Sequence, residues 1–208
     1  LPIKKYNTES ALNNFCEYSM IDPAFLAACY GFTEDEVKML AEKHNASMDN
    51  LKMWYDGYSI GREKSIYNPY SVMKALQRGS CRSYWTTTGA YDSVITYIQM
   101  NFDGLKDDII RMLSGESVYV NTSKFQNDMN IVRSKNDVLT VLIHLGYLAY
   151  DDEKQQCYVP NKEVTDELLN AVEDTSWKRL ADAITASRNL LDATIAGNEN
   201  AVAKAIDL

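Results

Sequence analysis

Asn136-Asp137-Val138-Leu139-Thr140-Val141-Leu142-Ile143-His144-Leu145-Gly146 is the stretch on which the fold reading turns. Asn136 to Leu145 predicts a helix that is apolar nearly all round, with a narrow polar stripe of Asp137, Thr140 and His144. A helix of that pattern belongs inside a protein. Gly146 ends it, and Tyr147 to Tyr150 with Cys157 to Val159 predict a hairpin around Asp151-Asp152-Glu153-Lys154. Upstream, Ser117-Val118-Tyr119-Val120 reads as a short strand. Strand, helices, buried helix and hairpin in that order predict a winged-helix module over residues 116–172.

The flanks read as helices. Thr8 caps a helix carrying Leu12, Phe15 and Cys16, running to about Met20, and Asp22-Pro23 starts another that ends near Gly31. Thr33-Glu34-Asp35-Glu36 has capping-box spacing, followed by Val37, Leu40 and Ala41 on one face. Ser47 caps a fourth helix that runs into Trp54 and stops at Gly57. Asp56 to Gly61 reads as a turn. Asn68-Pro69 restarts the helix with Asn as N-cap and Pro in the first turn, and Gly79 closes it. After an extended piece at Tyr84-Trp85-Thr86, Tyr91, Val94, Ile95, Ile98 and Phe102 mark one helix. Leu105, Ile109, Met112 and Leu113 mark the next, up to Gly115. Beyond Asn161, Val164, Leu168, Leu169 and Val172 mark a helix, and Trp177, Leu180, Ala181 and Ile184 a second. Leu190, Leu191 and Ile195, then Gly197, then Val202 and Ile206 complete a helical pair similar to one unit of a helical repeat. The fold class is therefore mainly α.

Composition excludes several functions. The 208 residues carry 21 Lys+Arg against 29 Asp+Glu, a net charge of −8, which disfavours tight non-specific nucleic-acid binding. The longest apolar stretch, Val138 to Tyr150, is interrupted by Thr140 and His144, and a bilayer span needs about 20 apolar residues. Leu1-Pro2-Ile3-Lys4-Lys5 lacks a following apolar region, so no signal peptide and a cytoplasmic location are expected. Without Met at position 1, the chain reads as processed or excised from a longer one. Cys16, Cys29, Cys81 and Cys157 lie far apart without CxxC, which gives no metal site and favours reduced thiols.

Motifs that carry chemistry are mostly missing. There is no GxxxxGK[ST], and Gly57 and Gly61 follow a helix rather than a strand, so neither a P-loop nor a dinucleotide loop is indicated. There is no GxSxG, and His44 and His144 lie 100 residues apart. Glu36-Val37-Lys38 and Asp107-Asp108 read as solvated helix faces rather than metal-binding carboxylates. Residues 116–172 hold five Lys+Arg and nine Asp+Glu, a net of −4, with acid at the wing tip. A DNA reader places Arg and Lys there, so protein packing is favoured. Fourteen tyrosines with Trp54, Trp85 and Trp177 read as fillers of the joints between short helices, their hydroxyls finding partners.

One constellation is more particular. Trp54-Tyr55-Asp56-Gly57-Tyr58, Gly61, Tyr67-Asn68-Pro69 and Ser71-Val72 closely resemble the signature of the bacterial AAA-ATPase-like family. Those proteins typically join a P-loop ATPase-like region to a C-terminal PD-(D/E)XK nuclease-like domain. The resemblance extends through Leu1-Pro2-Ile3-Lys4-Lys5, Ser10 to Phe15, Ser83-Tyr84-Trp85-Thr86, Asn101 to Leu105, Phe125 to Asp128, Leu142 to Leu148 and Pro160 to Val164.

The resemblance implies that this chain is the middle of such a protein. It would comprise a helical lid-like region (1–115), a winged-helix module (116–172) and a helical connector (173–208). The P-loop would lie upstream and the nuclease-like Asp and Glu-x-Lys downstream. No catalytic residue and no cofactor are then expected within the chain, with ATP and Mg²⁺ implied only for the parent protein. The implied partners are the two flanking regions, with nucleic acid disfavoured through this segment alone. By analogy with ATPase lids, where a turn and a helix N-terminus close over nucleotide, Gly57, Asn68, Pro69 and Ser71 are nucleotide-contact candidates. Arg62 is the candidate phosphate sensor. The alternative is a stand-alone winged-helix module that binds protein or nucleic acid, the latter through Lys124, Arg133 and Lys135.

Overall fold

The structure, a computed structural model, describes residues 18–85, 98, 102–123, 132–171 and 175–206. The helices expected from Thr8 and from Tyr91 lie largely outside these residues, as does Lys124. Within them the chain is mainly helical, with two small antiparallel sheets of three strands each.

After a 3-10 turn at Ala24–Cys29 and the short strand β1 (Phe32–Thr33), helix α1 runs Glu34–His44 and α2 runs Met48–Tyr55. Both starts follow their sequence signals. Thr33 Oγ1 accepts from the Glu36 amide while the Glu36 carboxylate accepts from the Thr33 amide, a closed capping box, and Ser47 Oγ accepts from the Asn50 amide. Strands β2 (Tyr58–Ile60) and β3 (Glu63–Tyr67) lead into α3 (Pro69–Arg78), which ends at Gly79 in the left-handed conformation.

Two local expectations need correction. Residues 22–31 do not form an α-helix; the 3-10 turn buries only Ala27, too little apolar surface to sustain a regular helix. Residues 56–61 are not merely a turn. They enter a hairpin in sheet order β1-β3-β2, with Tyr58 opposite Ile66 and Phe32 opposite Tyr67. The strands have two to five residues, too few for alternation to stand out against the neighbouring glycines.

The second half begins with α4 (Leu105–Leu113) and β4 (Val118–Tyr119), followed by α5 (Lys135–His144). All six residues from Val138 to Ile143 are buried, as the apolar periphery of that helix requires. Ser134 and Asp137 form its capping box, so the polar residue Asp137 serves the helix start. Strands β5 (Ala149–Asp151) and β6 (Gln156–Tyr158) form the expected hairpin, and β4 joins on the far side of β6 to give the order β4-β6-β5. Helices α6 (Lys162–Ala171), α7 (Thr175–Ile195) and α8 (Glu199–Ile206) follow, with α7 and α8 forming the helical pair.

The largest core joins Leu105, Ile109 and Met112 of α4 to Leu139, Leu142 and Ile143 of α5, Cys157 of β6, and Val164 and Leu168 of α6. A second core holds Val37, Leu51, Tyr55, Tyr67, Val72 and Leu76. Between them, Tyr58, Ile60 and Ile66 of the first sheet meet Ala149 of the second. Among the described residues no helix is long and apolar enough to cross a membrane.

Asp108 is a further correction. It is not a solvated face residue but 7% exposed, and it is paired with Lys135 Nζ at 2.6 Å, tying α4 to α5. Lys135→Ala leaves that carboxylate with Arg111 at 3.7 Å as its remaining cation among the described residues. The pair is partly open to water, so a loss of about 2 kcal/mol is expected, below the range for fully buried pairs. Urea denaturation checks it, and an unchanged midpoint would show the pair contributes nothing.

Candidate functional site: the joint around Glu163

The segment Trp54 to Tyr58 leaves α2 and enters β2, and each of its side chains is engaged. The Tyr55 hydroxyl, fully buried, donates to the Arg82 carbonyl and accepts from the Arg82 amide, both at 3.0 Å. Tyr58 reaches into the other half of the molecule, its hydroxyl donating to the Gly146 carbonyl at 2.8 Å. Asp56 Oδ1 accepts from Ser65 Oγ at 2.8 Å. Lys162 Nζ sits 4.7 Å from the Trp54 ring centre, a cation–π contact from the start of α6. Tyr67 is buried in the second core.

Gly57 sits at φ +107°, and a Cβ built there would fall 1.9 Å from the Pro160 carbonyl oxygen. Only hydrogen fits between these two backbones.

The helix that Asn68 and Pro69 start carries the next contact. Asn68 Oδ1 accepts from the amides of Tyr70 and Ser71, and Pro69 occupies the first turn, where its missing N–H costs nothing. Ser71, fully buried, donates from Oγ to Glu163 Oε1 at 2.9 Å. The same carboxylate oxygen accepts the Tyr84 amide at 2.8 Å. One turn further along α6, Glu167 accepts from the Ser83 hydroxyl. Glu163 and Glu167 are 1% and 0% exposed, which is unusual for carboxylates that pair with no cation among the described residues.

Burial dominates their chemistry. It pushes the Glu163 carboxyl up to about 7, against the bonds from Tyr84 and Ser71 and with help from the neighbouring Glu167. Burial likewise raises Glu167, opposed by Ser83. Burial raises the Tyr55 and Tyr58 hydroxyls as well, so both remain neutral donors. Asn161 starts α6 by accepting the Val164 amide, which fixes the direction in which Glu163 points.

The structure thus brings Tyr55, Gly57, Tyr58 and Ser71 together at one joint, opposite Gly146, Pro160, Glu163 and Glu167. Of the nucleotide-contact candidates, Gly57 and Ser71 lie inside that joint and the Asn68 side chain is engaged on its own helix. Arg62 stands exposed on the β2–β3 turn, away from Ser71 along the chain and on a different element. The resembling stretches include Ser83 and Glu163 but give neither a role, and nothing in the sequence reading marks Glu167. A signal existed: two carboxylates four residues apart flank Val164 and Leu168 on a helix whose apolar side they share. Among the described residues no group of three His, Cys, Asp or Glu is placed to hold a metal.

No family model matches the chain, and no solved structure matches it. The chain is 33% identical over 87 residues to an "Uncharacterized protein in vnfD 5'region" of Azotobacter chroococcum mcd 1. The matched residues are 41% of this chain and 16% of that protein, so the chain spans only a small part of its relative's length.

Proposed function

We propose that this chain is the non-catalytic lid and winged-helix segment of an AAA-ATPase-like, nuclease-linked bacterial protein, and that it transmits nucleotide-dependent movement between flanking regions. The observation that carries this reading is the joint itself. The motif residues Gly57, Tyr58 and Ser71 meet the second half of the chain at Pro160, Gly146 and Glu163, so a displacement of α3 is passed to α6. The sheet order β4-β6-β5, with α5 between β4 and the β5–β6 hairpin, supports the winged-helix reading of residues 116–172. Burial of Val138 to Ile143 supports a packing role for α5 over insertion into a DNA groove. The much greater length of the Azotobacter relative supports a parent protein with further regions.

The isolated chain is expected to release no phosphate from ATP above the buffer rate, measured by a colorimetric phosphate assay with Mg²⁺ present. In the parent protein, ATP should slow hydrogen exchange at the amides of Ser71, Tyr84 and Val164. Turnover by the clean isolated chain, or exchange at the joint that ignores ATP in the parent, would overturn the reading.

A further inference from the structure

From Lys64 to Tyr91 the chain contains no Asp or Glu, the longest such run in a sequence with 29 acidic residues. Beyond Lys64 at its start, its cations are Lys74, Arg78 and Arg82, four residues apart each time. Lys74 and Arg78 lie on α3, and Arg82 lies just beyond its end. Structure turns this spacing into a surface. Lys74 Nζ lies 5.6 Å from the Tyr70 ring centre, and Tyr70 is 46% exposed. The Arg78 and Arg82 guanidinium groups lie 5.7 and 5.3 Å from the centre of the same ring, that of Tyr84.

Among the described residues none of the three cations is ion-paired. The nearest carboxylates in the joint, Glu163 and Glu167, are buried behind Ser83 and Tyr84. One cation at a helix C-terminus is ordinary, because it complements the carbonyl end. Two guanidiniums on one ring, with no described carboxylate between them, form a site with a charge left to satisfy.

At the same end of α3 lies a cleft of about 290 Å³. Its floor is apolar, with Leu51 and Leu76, and its polar lining comes from Asn45, Ser47, Asn50 and Ser80. That size is at the small end of ligand clefts. An apolar floor with amide and hydroxyl groups around it suits a flat heterocycle with donors and acceptors on its edge. His44, in the basic last turn of α1, also lines the cleft.

We infer that the Tyr70–Lys74–Arg78–Arg82 face is a binding track for single-stranded nucleic acid, with one unpaired base seated in the adjoining cleft. The three cations take backbone phosphates, and Tyr70 offers a ring for stacking. This inference stands apart from the coupling role: it concerns an exposed face, not the joint. It is also compatible with the overall charge of −8, because a local track of three cations gives weak, salt-sensitive binding rather than tight coating of nucleic acid.

The test is fluorescence anisotropy of this chain with a labelled single-stranded DNA of about 12 nucleotides, at about 50 and about 200 mM NaCl. Three phosphate contacts on a single strand give a slope of about −2 in log K against log salt, so affinity should fall about 20-fold across that interval. The triple variant Lys74→Gln, Arg78→Gln, Arg82→Gln should lose about tenfold or more in affinity at the lower salt and flatten the slope. Ser80→Tyr, an exposed change that blocks the cleft while leaving every cation in place, should weaken binding severalfold with the slope retained. A duplex of the same sequence should bind more weakly. The inference falls if the wild-type chain fails to bind at the lower salt, if the folded triple variant binds as well as wild type, or if duplex binds as tightly as the single strand. Should the triple variant fail to fold by circular dichroism, an unaltered affinity of Ser80→Tyr overturns the cleft assignment by itself.

Discussion

Gly57→Ala is expected to lower the stability of the protein by about 4 kcal/mol, or to prevent folding altogether, an exceptional size for a single methyl group. Two costs combine. The backbone at φ +107° is one that side chains rarely adopt, and the added carbon would lie 1.9 Å from the Pro160 carbonyl oxygen. That neighbour is backbone, and it leads directly into Asn161 and α6, so it cannot turn aside as a flexible side chain would. Relief requires moving α6 away from α2, which would also separate Ser71 from Glu163. Gly79→Ala is the control. It shares a positive φ of +65° but has nothing within 4 Å of the added carbon. It should cost about 1 kcal/mol, the conformational penalty alone. Urea denaturation of the two variants separates contact from conformation, and equal losses would refute the close approach at Pro160.

Glu163→Gln should make the protein more stable than wild type at pH 8, by about 3 kcal/mol, and this gain should shrink to about 1 kcal/mol at pH 5. The sign follows from linkage. Burial raises the Glu163 carboxyl from 4.5 to about 7, so the folded chain holds its proton more tightly than the unfolded chain does. The stability that this proton contributes is therefore complete below about 4.5, falls as pH rises toward about 7, and is gone above that. Each tenfold difference in proton affinity between folded and unfolded chain is worth about 1.4 kcal/mol, which sets the size of the effect. The amide side chain of this variant keeps an oxygen to accept from Ser71 Oγ and the Tyr84 amide but carries no charge to desolvate. Glu167, raised in the same direction, should leave a residual slope in the variant. The measurement is the denaturation midpoint of both proteins between pH 5 and 8. Parallel pH profiles would show that Glu163 is not the group responsible.

These two variants act on one joint, yet only one of its two faces is legible in the sequence. Asn68-Pro69, Thr33-x-x-Glu36 and Ser47 announce helix starts because a cap is a local contract among residues at most three apart. The buried helix is legible because an apolar surface on every side leaves no face for water. The resemblance marks Trp54 to Tyr58 as particular, and its Pro160 to Val164 portion contains Glu163 without marking it. Nothing local says that a glutamate in a Lys-Glu-Val helix start is dry. That depends on Ser71, 92 residues away, and on Tyr84, 79 residues away. Asp108 reads wrongly as a surface residue for the same reason: its partner Lys135 lies on another helix.

The sequence by itself determined the helix starts at Glu34, Met48 and Pro69, the interior position of Val138 to Ile143, and the hairpin at Asp151 to Lys154. Capping, periodicity and turn chemistry are short-range, and they operate before any tertiary contact forms. Only the tertiary structure decided the three-stranded sheet around Tyr58, the close approach of Gly57 to Pro160, and the burial of Glu163 and Glu167. Those features exist because distant segments exclude water from one another. Desolvation belongs to the assembled fold, and it is the main reason that the carboxyls of Glu163 and Glu167 are raised above the ordinary value.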